Sequence, residues 1–147
     1  MILYKTGSIF DSTVQCIVNP VNCVGVMGKG LALEFKTHYP DMFKFYQKMC
    51  REGKLNLGQV GFYALKKDPS RIICLFPTKQ HWRDKSLVSS IDEGLIAFVI
   101  YAPEMKIESV AIPKLGCGLG GLDFEHQVQP LFEKYFLNSK MLVEIYL

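Results

Sequence analysis

The residues best able to do chemistry fall in three stretches of this 147-residue sequence. The first is Pro113-Lys114-Leu115-Gly116-Cys117-Gly118-Leu119-Gly120-Gly121-Leu122, which holds four glycines. Glycine lets the backbone curl and leaves no side chain in the way. Neighbouring N–H groups can then converge on an anion, and a following helix adds the positive end of its dipole. Phosphate or pyrophosphate is the usual guest. The plainer reading is a tight strand-to-helix turn. The second stretch is Asn19-Pro20-Val21-Asn22-Cys23-Val24-Gly25-Val26-Met27-Gly28-Lys29-Gly30. The Asn22 amide can donate to and accept from ribose hydroxyls, although Asn also fills turns. Lys29 can face phosphate or only water.

The third stretch, Phe76 to Ser86, is the most polar. Lys79 is a nucleophile if burial or a neighbouring cation lowers its pKa, because only the neutral amine attacks. From spacing alone a surface lysine is the commoner outcome. His81, Trp82, Arg83 and Lys85 interleave an aromatic ring with cations, a pattern that binds single-stranded nucleic acid by stacking and phosphate contact. The sole Trp can equally be a packing anchor. Asp123 fits a helix N-cap better than an acid–base role, since no motif sets a second carboxylate beside it.

These stretches need strands before them and helices after them. Val110-Ala111-Ile112 reads as a buried strand ahead of the four-glycine loop, and Phe124, Val128, Leu131, Phe132 and Tyr135 follow at helical spacing. Val14 to Val18 reads as the strand before the Asn22 loop. Leu31 to Tyr39 reads as the helix after it, ended by Pro40, with a further helix from Asp41 to Gly53. Ile2 to Tyr4, Gly58 to Leu65, Ile72 to Phe76 and Met141 to Tyr146 read as strands, and Val88 to Val99 as a helix. About six strands and four helices predict an α/β fold, a three-layer α/β/α sandwich forming one domain over residues 1–147. Ligands in such sheets bind at strand C-termini, so both glycine loops are expected to line one cleft, which favours a diphosphate ligand.

Composition narrows the classes. A 49% hydrophobic and 12% aromatic chain fills a real core, which argues against disorder. The net charge of +3 permits an anionic ligand without arguing for nucleic acid. The apolar stretch from Leu95 to Ala102 is too short to span a bilayer, and no charged, apolar, small-residue leader opens the chain. Five widely spaced cysteines without a Cys-x-x-Cys, and three scattered histidines, make a zinc site unexpected and reduced thiols in the cytoplasm the expectation.

Taken together, Asn19-Pro20-Val21-Asn22, Met27-Gly28-Lys29-Gly30-Leu31-Ala32, Pro77-Thr78-Lys79-x-His81-Trp82-Arg83, Ile112 to Gly118 and Val143-Glu144-Ile145-Tyr146 resemble the macrodomains, ADP-ribose-binding modules. Within that family the chain is similar to the DNA ADP-ribosyl glycohydrolase antitoxins of bacterial toxin–antitoxin systems, themselves similar to the human terminal ADP-ribose glycohydrolase. The resemblance implies that Asn22, Met27, Gly28, Lys29, Gly30 and Leu31 contact the distal ribose and diphosphate. It implies that Gly116, Cys117, Gly118, Leu119 and Gly120 hold the diphosphate, that Pro77 and Thr78 line the substrate site, and that Tyr146 lies at the adenosine end. Lys79 takes the catalytic lysine's place, and His81, Trp82 and Arg83 are expected to contact DNA outside the ADP-ribose pocket.

The implied partners are ADP-ribose, ADP-ribosylated single-stranded DNA and a cognate toxin ADP-ribosyltransferase, with no cofactor, metal or membrane. Two positions depart from relatives. Many members carry Gly-Asp-Ile where this chain has Gly7-Ser8-Ile9, which leaves adenine recognition to Ile9 and backbone groups. The human glycohydrolase's catalytic Asp falls at Gly120; the antitoxin group also tends to lack it. The alternatives are a reader that binds ADP-ribose without turnover, a hydrolase of protein-linked or acetylated ADP-ribose, and a single-strand binder whose glycine loops are only structural.

Overall fold

In the strands, successive side chains point to opposite faces, and here each face is covered by its own helices. A computed structural model describes residues 1–147. Its six strands are β1 (Ile2–Lys5), β2 (Cys16–Val21), β3 (Gly61–Ala64), β4 (Ile72–Pro77), β5 (Ser109–Pro113) and β6 (Leu142–Tyr146). They form one sheet in the order β1-β6-β5-β2-β4-β3, parallel except for the β3–β4 pair. The helices are α1 (Gly30–His38), α2 (Pro40–Arg51), α3 (Val88–Tyr101) and α4 (Gln129–Phe136).

Cys16, Val18, Cys74, Phe76, Val110, Ile112, Val143 and Ile145 pack against Ile91, Leu95 and Phe98 of α3 and Phe132 and Phe136 of α4. Ile17, Val21, Ile73, Leu75 and Ala111 turn the other way, onto Phe35 of α1 and Met42 and Tyr46 of α2. Burying each large apolar side chain contributes about 1.5–3 kcal/mol, so both layers are needed for stability. Gly94 lets α3 approach the sheet: a Cβ there would stand 2.4 Å from Phe76 Cζ. This is the expected α/β/α sandwich.

Five local features differ from expectation. β2 runs on through Asn19, Pro20 and Val21 rather than ending at Val18. Its pairing with β5 is confined to Cys16 and Ile17, so Pro20, which has no N–H to donate, sits where the neighbouring strand has diverged. Pro40 starts α2 at a first-turn position, where a missing N–H costs nothing, as well as ending α1. Gly58 to Leu65 contracts to the four residues of β3. Ser8 caps a short 3₁₀ turn, Ile9–Asp11, that periodicity did not reveal. The helix from Phe124 opens with a π-helical turn, Phe124–Val128, before α4. Asp123 does cap it, accepting from the His126 N–H at 2.8 Å. The His126 backbone N–H, then its ring, hold that carboxyl below its ordinary pKa.

Candidate active site

The parallel strands end level with one another. Val21 of β2 lies opposite Pro77 of β4, and Pro113 of β5 opposite Tyr146 of β6. Beyond this edge the chain leaves β2 toward α1 and α2 on one face, and leaves β5 toward α4 on the other. β2 and β5 are neighbours, so their loops part from each other and leave a crevice, the usual ligand position in such sheets. A cleft of about 730 Å³ lies there. It is lined by Asn22, Gly28, Lys29, Gly30 and Leu31 from the loop after β2. Thr78, Lys79, Trp82, Arg83, Asp84, Lys85 and Ser86 line it from the segment after β4, and Lys114, Gly116, Gly118, Leu119 and Gly120 from the loop after β5.

Backbone hydrogen bonds lace the three segments together. The Thr78 N–H donates to the Val21 carbonyl at 2.9 Å, and the Cys23 N–H to the Gln80 carbonyl at 2.9 Å. At its other end the same segment ties to the β5 loop, the Ser86 N–H donating to the Gly120 carbonyl at 2.9 Å. The Lys79 segment therefore bridges both glycine loops.

Both loops present unused donors. The N–H groups of Gly118, Leu119 and Gly120 donate to no protein acceptor, and neither do those of Gly28, Lys29 and Gly30 at the start of α1. Consecutive free N–H groups, one set at a helix N-terminus, form an anion site. Gly116 needs its glycine, with φ at +74°. Gly120 needs it for space, because a Cβ there would stand 2.3 Å from Ser86 Oγ and 2.5 Å from the Gly116 carbonyl oxygen. The position where the human glycohydrolase is expected to carry a carboxylate thus admits no side chain at all here.

Lys79 is half-buried. Burial pushes its amine below the ordinary lysine value, and the charge of Lys85 pushes the same way, against an opposing pull from Asp84. Lys29, Arg83, Lys85 and Lys114 join it around the cleft, with Asp84 as the one lining carboxylate. The turn bearing Trp82 is tight: the Asp84 carboxylate accepts from the His81 N–H at 3.0 Å, and His81 Nδ1 from the Arg83 N–H at 3.2 Å. Arg83 lies over the Trp82 ring at 5.5 Å. Trp82 is 51% exposed, so it is no packing anchor.

The Asn22 side chain is largely spent on its own loop. Its Oδ1 accepts from the Val24 N–H at 3.0 Å and the Tyr46 hydroxyl at 2.6 Å, and its Nδ2 donates to the Val26 carbonyl at 2.7 Å. It holds the loop in shape and leaves one amide hydrogen without a protein acceptor. Other expected contacts lie outside the lining. Met27 is buried in the α1–α2 layer, and Ile9 and Tyr146 are buried in the same layer. Ser8 is used as a cap, accepting from the Phe10 N–H at 3.2 Å. Pro77 is buried in β4, Cys117 is half-buried in the loop after β5, and His81 is half-buried next to Trp82, its ring 4.9 Å from the Trp82 ring. Trp82 and Arg83, expected outside the ADP-ribose pocket, line the same cleft as Lys79. Sequence reasoning passed over Lys114, Asp84 and Ser86; all stand within the stretches that mattered, but nothing in their type or spacing marked them. No three His, Cys, Asp or Glu side chains gather into a cluster, and no helix is long and apolar enough to cross a membrane.

An α/β/α domain with a crevice at its switch point, edged by cations and free backbone N–H groups, is what fold and cleft define. The chain belongs to the macrodomain family: the Macro domain model matches residues 18–130. It is 42% identical to the macrodomain of Mycobacterium tuberculosis DarG, with a TM-score of 0.93 over 99% of this chain and 97% of that one. It is 35% identical to Thermosipho africanus DarTG in complex with ADP-ribose, with a TM-score of 0.89 over 97% of this chain and 41% of that one. A curated relative, the DNA ADP-ribosyl glycohydrolase of Mycobacterium tuberculosis, is 44% identical over 136 residues, 92% of this chain. The chain spans only 39% of that relative's length.

Proposed function

We propose that this chain is an ADP-ribosyl glycohydrolase that removes ADP-ribose from DNA bases, thymine in single strands, and so counteracts a cognate DNA ADP-ribosyltransferase toxin. The observation that carries the reading is the placement of Lys79: a half-buried amine with a lowered pKa, on the one segment that ties both anion-binding loops together. The relatives' names supply the substrate class, and the Thermosipho africanus complex supplies the ligand.

In this reading the free N–H groups of the two loops hold the diphosphate and fix the distal ribose over Lys79. The neutral amine attacks the anomeric carbon. A new C–N bond to Nζ forms as the C–N bond to the base breaks, and the base leaves with the electron pair and takes up a proton. Water then displaces Nζ and releases ADP-ribose and free lysine. Trp82 and Arg83 sit where the strand carrying the base leaves the cleft.

The second reading, a reader without turnover, draws on Gly120, which leaves the lysine without the expected carboxylate partner. Incubation with ADP-ribosylated single-stranded DNA separates the two. Wild type should release ADP-ribose. Lys79→Ala and Lys79→Arg should release none while still binding free ADP-ribose, since guanidinium stays protonated and is a poor nucleophile. Turnover by Lys79→Ala at the wild-type rate would rule out the covalent step, and no turnover by wild type leaves the reader.

A further inference from the structure

Ser86 has a polar group with nothing to do. It is 4% exposed, and its Oγ is buried without a hydrogen-bond partner among the protein's groups. Buried hydroxyls are nearly always paired, and an orphan marks either strain or a missing ligand. Its backbone N–H, in contrast, is used, donating to the Gly120 carbonyl. The hydroxyl lies directly beneath the glycine loop: Cβ atoms built on Gly116 and Gly120 would come within 3.3 Å and 2.3 Å of it. That roof is bounded by two left-handed glycines, Gly116 at φ +74° and Gly121 at φ +82°. The three free N–H groups of Gly118, Leu119 and Gly120 lie between them.

We propose that the Ser86 hydroxyl is a ligand-binding donor, uncovered when the glycine loop shifts onto a bound diphosphate, and that it donates to a phosphate oxygen alongside the loop's N–H groups. A hydroxyl is the group for this place. It is small enough to fit under the loop, and unlike a carboxylate it does not repel the anion. The neighbouring cations Lys85 and Lys114 set the sign of the guest. The inference rests on the reading that ADP-ribose occupies the cleft.

Calorimetry with ADP-ribose and with ADP, paired with thermal melts of the free protein, tests it. Ser86→Ala removes the hydroxyl and keeps the N–H bond to Gly120. Affinity for both nucleotides should fall about tenfold, the size expected for a hydrogen bond to a charged acceptor. The free protein should melt no lower than wild type, because an unpaired buried hydroxyl has been removed. Ser86→Cys, nearly isosteric with a weak donor, should lose less. Unchanged affinities overturn the proposal. So does a lowered melting temperature with all ligands weakened together, which marks a structural brace. A loss for ADP-ribose but not ADP moves the contact to the distal ribose and overturns the assignment to phosphate. Failure of wild type to bind either nucleotide would instead sink the functional reading itself.

Discussion

Gly118 and Gly120 are two residues apart, yet the structure sets opposite expectations for them. At Gly118 the backbone is outside the left-handed region, and a Cβ would meet nothing within 4 Å. Gly118→Val should therefore leave the free protein as stable as wild type, or slightly more so, since a side chain restricts the unfolded chain. If the diphosphate lies against the loop, the two methyls take up its space, and affinity should fall by at least about tenfold, ~1.4 kcal/mol. At Gly120 a Cβ would meet Ser86 Oγ at 2.3 Å and a backbone carbonyl at 2.5 Å. The carbonyl belongs to Gly116, whose oxygen also accepts from the Leu122 N–H, so it is not free to swing away. Overpacking of this kind costs about 1–3 kcal/mol. At about 2–4 °C per kcal/mol for a domain near this size, Gly120→Ala should melt several degrees lower as well as bind poorly. Thermal melts with and without ADP-ribose, followed by calorimetry, read both effects. A Gly118→Val protein that binds ADP-ribose like wild type would remove the loop from the site, whatever Gly120→Ala does.

The buried carboxylate of Glu144 offers a stability test away from the cleft. Burial works to raise its pKa, but Lys5 Nζ at 2.7 Å and the Ser12 hydroxyl at 2.6 Å outweigh that and hold it below the ordinary value of 4.5. Its stabilisation is thus present above that value and is lost as pH falls through the folded pKa; Glu144→Gln should melt lower than wild type at pH 7, with the gap closing in acid. Trp82→Ala should leave the melting temperature unchanged because the ring is half exposed. Binding to ADP-ribosylated single-stranded DNA, read by fluorescence polarisation, should weaken by roughly 1–3 kcal/mol if a base stacks there, with free ADP-ribose much less affected.

The layers were legible because strand and helix periods are carried by many residues at once. Ile17 and Val18, Ile73 and Cys74, Ala111 and Ile112 each split between the two faces, and a run of such pairs leaves one topology class. The boundaries were less legible where one residue had two uses. Pro20 looks like a strand breaker and becomes a strand residue only because β5 has turned away, a tertiary fact with no local signal. At the site, the glycine loops and Lys79 were legible as types, but their tie was not: the bonds from Thr78, Cys23 and Ser86 are made by backbone, which every residue has. Met27 misled for the opposite reason. It lies between loop residues that line the cleft, while its own side chain completes the core under α1.

Lys79 gives the last test its sign. Three influences act on its amine: burial and Lys85 lower the pKa, and Asp84 raises it. The two charges can be removed one at a time. Lys85→Gln takes away the repulsion, so the amine holds its proton to higher pH, and the acid limb of the pH–rate profile should move up. Asp84→Asn takes away the attraction, so the limb should move down. Asn keeps an acceptor for the His81 N–H, which leaves the turn intact. Single-turnover release from saturating ADP-ribosylated DNA is the right measurement, because saturation removes the part Lys85 plays in binding phosphate. Both shifts should shrink with added salt, since the lysine is only half-buried and its neighbours are exposed. The rate on the high-pH plateau should stay near wild type in both variants, where the amine is already neutral. Limbs that move the same way, or do not move at all, would mean that the group titrating in the rate is not Lys79, and the lysine nucleophile would have to be given up even if Lys79→Ala is inactive.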